Sequence, residues 1–216
     1  MKDSILNKRF KYSYKNASLI LVGINVVIFF LTRYSNIRIR GVSLFYWLSM
    51  VPSFIENGYV WQLFTYMFVH ANLSHLFFNM LALIMFGMML ERTIGSNEFV
   101  LFYLVSGFLS GVISFLIYEI AGTNVVMMGA SGAIYALLLL FSVIFPTSRI
   151  LLFYFIPVQA PIAVMIFAII CIANEMFTVS STANLTHLAG FAVAWIYCLV
   201  RFRVNPLQVW KNSIRR

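Results

Sequence analysis

The sequence predicts an all-α membrane protein of six transmembrane helices, and three observations carry that prediction. Hydrophobic residues fill 62% of the 216 positions and charged residues only 10%, whereas a soluble domain is nearer half apolar and a quarter charged. The apolar residues gather into runs close to the roughly 20 that a spanning helix needs, and the chain has length for about six with short loops. The net charge of +9 comes from basic residues at the chain ends and in loops, where membrane topology demands them. That pattern argues against a nucleic-acid partner and for the lipid bilayer. The organisation is then a basic tail (1–16), one membrane domain (17–200) and a second basic tail (201–216).

Residues 1–16 carry Lys2, Lys8, Arg9, Lys11 and Lys15 against Asp3 alone, too polar and too short to fold. The apolar run 17–32 follows. No small-x-small cleavage site comes after it, only Arg33, Arg38 and Arg40, so it reads as a retained first span. Residues 33–60 form the longest connection and mix charges with Leu44, Phe45, Trp47, Met50 and Phe54. That density of aromatic and aliphatic side chains predicts a segment lying in the membrane interface, with Trp61 and Tyr66 extending the aromatic belt. A second span covers 71–90 and ends at Glu91-Arg92. The third, 98–118, carries Gly107 and Gly111 as a G-x-x-x-G, which allows close packing. Gly122-Thr123-Asn124 breaks the chain before a short apolar stretch leading to Ser131. The fourth span, 133–145, ends at Pro146. After Arg149 the fifth runs to about 172, and Pro157 and Pro161 are expected to kink or loosen its start. A polar loop, 174–184, precedes the sixth span, 185–200. Cys171 and Cys198 both fall in apolar runs and read as small core hydrophobes, not as a disulfide or a metal pair.

Six spans put both termini on one side. The two tails with Arg92 and Arg149 place most Lys and Arg there, and only Arg33, Arg38 and Arg40 fall opposite. The positive-inside rule then predicts a multi-pass protein of the cell (inner or plasma) membrane with both termini cytoplasmic. On that topology Ser131, His70, His75 and His187 share the outer side and one rough depth.

Polar side chains inside spans point to function. Ser131 sits among Gly129, Ala130 and Gly132, where glycine permits a sharp turn or a close approach. Asn79 lies four residues after His75, on one helix face. His187 opens the sixth span, and the small pair Gly190 and Ala194 would bring that helix close to another backbone. With the start of the fourth span as neighbour, His187 would take the proton of Ser131. His75 and Asn79, with the amides around Ser131, would then donate to an oxyanion. No carboxylate lies within a span beside the histidines, which points to a Ser-His dyad rather than a triad. Tyr135, one turn after Ser131, is placed to pack against the imidazole. No strand precedes the Gly-Ala-Ser-Gly, so it is not the nucleophile elbow of α/β-hydrolases. A transporter using these residues as a polar path would show internal repeats, and the chain has none.

Four motifs together give the chain, over about 17–200, a resemblance to the rhomboid family of intramembrane serine proteases. They are His70-x4-His75-x3-Asn79, Glu91-Arg92-x2-Gly95, Gly129-Ala130-Ser131-Gly132 with Tyr135, and His187-x2-Gly190-x3-Ala194. The resemblance implies a six-helix rhomboid bundle with 33–60 as a membrane-embedded first loop. It implies Ser131 as nucleophile, His187 as its base and an acyl-enzyme intermediate. Oxyanion donors would be His75, Asn79 and the backbone amides of Ala130 and Ser131, with Tyr135 supporting His187 and His70 structural near the outer surface. The fifth helix and 174–184 would be the gate and cap for a substrate helix. Substrates would be single transmembrane segments of other proteins, cut near the outer face, with no metal or organic cofactor. The chain departs from the family at Trp61-Gln62, where Trp-Arg is usual, and at Ala194, where glycine is common. The resemblance further implies the minimal bacterial-type form, with no folded domain before the first span and no seventh span after the sixth.

Overall fold

The computed structural model describes residues 10–152, 155–177 and 182–214. Helix α1 (Ala17–Tyr34) begins where a carboxylate from a distant helix meets its free amides. Glu91 accepts from the Ala17 amide at 2.6 Å, the Ser18 amide at 2.9 Å and the Ser18 hydroxyl at 2.7 Å, and also from the Ser96 hydroxyl. The first amides of a helix have no intrahelical partner and carry its positive dipole end. Glu91 supplies both the acceptor and the charge that this end needs.

The connection after α1 is a folded unit, more ordered than its composition suggests. Strands β1 (Arg38–Ile39) and β2 (Val42–Ser43) pair antiparallel, and the short helices α2 (Leu44–Leu48), α3 (Pro52–Glu56) and α4 (Gln62–Thr65) follow. A 3-10 turn, Tyr66–Phe68, ends it. Trp47, Tyr59 and Trp61 cluster at centroid separations of 4.9 to 5.1 Å. A buried amide clamps the unit: Gln62 Oε1 accepts from the Val51 amide at 3.0 Å, and Nε2 donates to the Tyr46 carbonyl at 2.8 Å. The Trp61 indole donates to the Trp47 carbonyl, and the Thr65 hydroxyl to that of Leu48.

Helix α5 (Leu73–Ala82) is capped by Asn72, whose side chain accepts from the His75 amide. It continues through a π-turn, Leu83–Gly87, into α6 (Met88–Ile94), making one continuous helix, Leu73–Ile94. Helix α7 (Ser96–Ile120) carries the G-x-x-x-G. These glycines chiefly seat the first loop. A Cβ at Gly107 would lie 2.3 Å from Met67 Cε, and one at Gly111 would lie 2.5 Å from the Tyr66 ring.

Helix α8 (Ser131–Ile144) is only 14 residues long and is buried on almost every side, as Ala136, Leu137, Leu139 and Leu140 show. A helix apolar all round belongs at the centre of a bundle. The next segment corrects an expectation. Strands β3 (Arg149–Leu152) and β4 (Ile156–Gln159) form an antiparallel hairpin where the fifth span was expected to begin. Pro157 lies in β4. Pro161 lies in the first turn of α9 (Ala160–Phe177), where its missing N–H costs nothing and no kink results. Helix α9 also absorbs Glu175, which the sequence pattern assigns to a loop. Of the expected 174–184 loop, 178–181 lie outside the described residues, and α10 (Thr182–Tyr197) starts directly after them. A π-turn, Cys198–Phe202, extends α10.

The tail after residue 200 is not simply a basic extension. Arg201 forms a bidentate ion pair with Glu98, each contact 2.8 Å, and the Tyr197 hydroxyl joins the same carboxylate. Helix α11 (Pro206–Ile214) turns Trp210, 6% exposed, edge-on against Trp195. Among the described residues, four helices are long and apolar enough to cross a bilayer: α1, Leu73–Ile94, α7 and Asn184–Phe202. Two shorter apolar helices, Ser131–Ile144 and Ala160–Glu175, pack beside them.

Replacing Glu91 with alanine leaves the amides of Ala17 and Ser18 without their acceptor. The expected loss is at least about 2 kcal/mol of stability, by the cost of a lost cap plus unmade buried hydrogen bonds. A lowered thermal unfolding midpoint in detergent micelles checks it.

Candidate active site

The segment leading into α8 is held by backbone hydrogen bonds to the first loop. Met127 and Met50 exchange amide and carbonyl at 2.9 and 2.8 Å, and the Gly129 amide donates to the Tyr66 carbonyl at 3.0 Å. Tyr66 is itself fixed, its hydroxyl donating to the Gly107 carbonyl at 2.7 Å. Gly129 adopts φ +122, a conformation that suits glycine. A Cβ there would lie 2.8 Å from both Cε1 and Nε2 of His75 and 3.8 Å from Ser131 Oγ. The His75 imidazole is therefore pressed against bare backbone beside the serine. Ala130 is fully buried at the N-cap, and Ser131 is the first residue of α8. Its amide and those following lack intrahelical carbonyl partners, which makes this helix end receptive to negative charge.

Helix α10 meets α8 backbone to backbone. A Cβ at Gly190 would sit 2.2 Å from the carbonyl oxygen of Gly132. A Cβ at Gly132 would in turn be 3.0 Å from both Ser110 Cβ and Thr186 Cγ2. One turn before Gly190, His187 lies flat on the Tyr135 ring, with centroids 4.0 Å apart and planes 4° apart. Phe167 and Phe191 wall the tyrosine. Thr186 ties α10 to α7 through Ser114 at 2.9 Å and to the loop through Met127 Sδ at 2.9 Å.

Among the described residues no hydrogen bond joins the Ser131 hydroxyl to His187. The polar neighbour of His187 Nδ1 is the Cys171 thiol, at 3.8 Å. Catalytic hydrogen bonds are often long or poorly aligned before substrate arrives. Asn79 shares the His75 face of α5, and its Nδ2 donates to the His75 carbonyl at 2.7 Å. His70 is fully buried, edge-on to the His75 ring at 5.1 Å. Burial and the neighbouring His75 push its imidazole down to about 3, so it stays neutral at ordinary pH.

The structure thus brings His75, Gly129 and Ser131 together, packs Gly132 on Gly190, and stacks Tyr135 on His187. Asn79 is turned to its own helix backbone. Thr186, Met127 and Cys171 also belong to the site, and sequence patterns alone do not single them out. Gln62 is visible in the sequence only as a departure from a family pair, although a lone amide in an aromatic stretch already signals a buried polar contact. Among the described residues no three His, Cys, Asp or Glu side chains gather as metal ligands would.

A family model described as the Rhomboid domain matches residues 57–204. The chain belongs to the rhomboid family. It is 34% identical over 167 residues to RHOMBOID-like protein 1 of Arabidopsis thaliana, covering 77% of this chain and 40% of that one. It is 31% identical over 117 residues to rhomboid protease GluP of Bacillus subtilis (strain 168), covering 53% of this chain and 23% of the relative. RHOMBOID-like protein 7 of Arabidopsis thaliana is 32% identical over 160 residues, covering 74% and 48% of the two chains. The chain spans less than half the length of these curated relatives. With its apolar helices, this rhomboid is a multi-pass membrane protein.

Two substitutions probe the scaffold of the site. Gly129→Ala forces a side chain into the His75 ring at a backbone conformation that disfavours it, and should cost roughly 1–3 kcal/mol. Gln62→Ala strands the Val51 amide and the Tyr46 carbonyl and should cost roughly 2 kcal/mol. Equilibrium unfolding of each variant in mixed micelles reads both values.

Proposed function

We propose that this rhomboid is an intramembrane serine endopeptidase that cleaves transmembrane segments of other membrane proteins. The observation that carries the proposal is the meeting of α8 and α10 at Gly132 and Gly190, with His187 stacked on Tyr135 one turn after Ser131. Such a contact sets an imidazole and a hydroxyl on adjoining backbones at one level of the bundle. The proposed topology is six spans, the two shorter apolar helices included, with both termini in the cytoplasm of a cell whose inner or plasma membrane holds the protein. Residues 17–200 form the protease domain.

Catalysis would begin as Ser131 Oγ attacks the scissile carbonyl carbon while its proton passes to His187 Nε2. The carbonyl oxygen becomes an oxyanion, met by the amides of Ala130 and Ser131 and by the side chains of His75 and Asn79. For Asn79 to take part, its amide has a second N–H beyond the one bonded to the His75 carbonyl. Collapse breaks the C–N bond, and the leaving amine takes the proton from His187. Water, deprotonated by the same imidazole, then hydrolyses the acyl-enzyme and restores Ser131. Tyr135 holds the ring plane, and Gly129, Gly132 and Gly190 allow the close approach. His70 packs behind His75.

Purified Ser131→Ala and His187→Ala variants, reconstituted in liposomes with a transmembrane peptide substrate, should fold with wild-type unfolding midpoints and lose turnover by at least about a thousandfold. A fluorophosphonate probe should label the wild type at Ser131 alone. Normal turnover by either variant refutes the dyad, and an unlabelled wild type that binds substrate without cutting it identifies a non-catalytic rhomboid.

A further inference from the structure

We infer that Cys171 is a positioning residue for the base, holding the proton of His187 on Nδ1 so that Nε2 is free to accept from Ser131. This inference rests on the dyad proposed above. A neutral imidazole carries one proton on either nitrogen, and the hydrogen bond made by one decides the state of the other. Triads use a carboxylate for that purpose, and here the described carboxylates are engaged or placed elsewhere. Glu91 binds the start of α1, and Glu98 pairs with Arg201 and Tyr197. Glu56 and Glu119 lie beside each other where α3 meets the end of α7. Glu175 is exposed on α9, one turn beyond Cys171.

What faces Nδ1 is the thiol. Cys171 is 2% exposed, and its sulfur lies 3.8 Å from His187 Nδ1. Sulfur is a weak acceptor, but in an apolar surround a weak partner decides between tautomers when no stronger one competes. The Tyr135 hydroxyl lies beside the same sulfur, placed to donate to it, an arrangement in which the sulfur serves as acceptor to both rings. Stacking on Tyr135 fixes the plane of the His187 ring. The thiol fixes which way round it carries its proton. No bond is made or broken in this role, and the cysteine stays reduced.

The test uses the full chain in liposomes with the same transmembrane peptide. Cys171→Ala removes the acceptor and should lower kcat about tenfold, the usual scale for losing an orienting partner, with KM within twofold. Cys171→Val, which keeps the apolar packing, should behave likewise and serves if the alanine variant does not fold. Cys171→Ser restores an acceptor and should recover kcat to within about threefold of wild type. Fluorophosphonate labelling of Ser131 should slow and recover in the same order. Nitrogen NMR of His187 should show the Nδ1–H form in the wild type and a mixture in the alanine variant. Wild-type kcat in Cys171→Ala, or equal losses in the alanine and serine variants, overturns the inference. Ser131→Ala is the control: if it still turns over, the dyad itself has failed, whereas an inactive Ser131→Ala beside a fully active Cys171→Ala rejects the thiol alone.

Discussion

The fold turns on one contact, the carbonyl of Gly132 against the α-carbon of Gly190. No side chain fits between them, since even a Cβ would sit 2.2 Å from the oxygen. In lipid, where burial of apolar surface offers helices no preference for each other, close packing of small residues is a main source of association. The contact also sets register. Tyr135 is three residues past Gly132 and His187 three before Gly190, so both rings lie within one helical turn of the glycine contact. Their 4.0 Å stack is anchored by the glycine pair beside it.

A second constraint concerns the stretch before α8. Irregular backbone at membrane depth is tolerated only when protein supplies its hydrogen bonds. The first loop does so through Met50 and Tyr66. Those two residues are in turn held by Gln62, which binds the chain on either side of Met50, and by Gly107, which receives the Tyr66 hydroxyl. The amide at 62 therefore takes up the bracing role in this loop with neutral hydrogen bonds alone. The geometry of Gly129 is set by residues more than 60 positions earlier in the chain.

Much of this was legible in the sequence, and the gaps have physical causes. The apolar runs marked α1, Leu73–Ile94, α7, α8 and α10 within a few residues, because lipid demands length and composition that nothing else in a chain mimics. The hairpin of β3 and β4 was not legible. Its residues Ile150, Leu151, Ile156 and Val158 are as apolar as a helix, and a short apolar run carries no period to separate the two. Pro157 was the available clue, and it marks a strand, not a kink. Helix α11 hides in the same way: Val209 and Trp210 are too few among Lys211 and the arginines to stand out as a buried face. Within the site, Ser131, His75, His187 and Gly190 announce themselves as polar or small residues in apolar runs. Thr186, Met127 and Cys171 do not, since their importance lies in what the fold sets opposite them. Cys171 does pack as a small hydrophobe, and only the register of α9 against α10 brings its sulfur to an imidazole.

The brevity of α8 has its own consequence. Fourteen residues rise about 21 Å, whereas the hydrocarbon slab is about 30 Å deep. On the proposed six-span topology, a central pillar shorter than its surroundings would leave a hollow above its top, with Ser131 at its floor. Acyl chains entering it would strand the polar atoms of His75 and the serine without partners, while water would not. The depth of such a basin would follow from how many residues separate Ser131 from Ile144, and lengthening that count by a turn would lift its floor by about 5 Å.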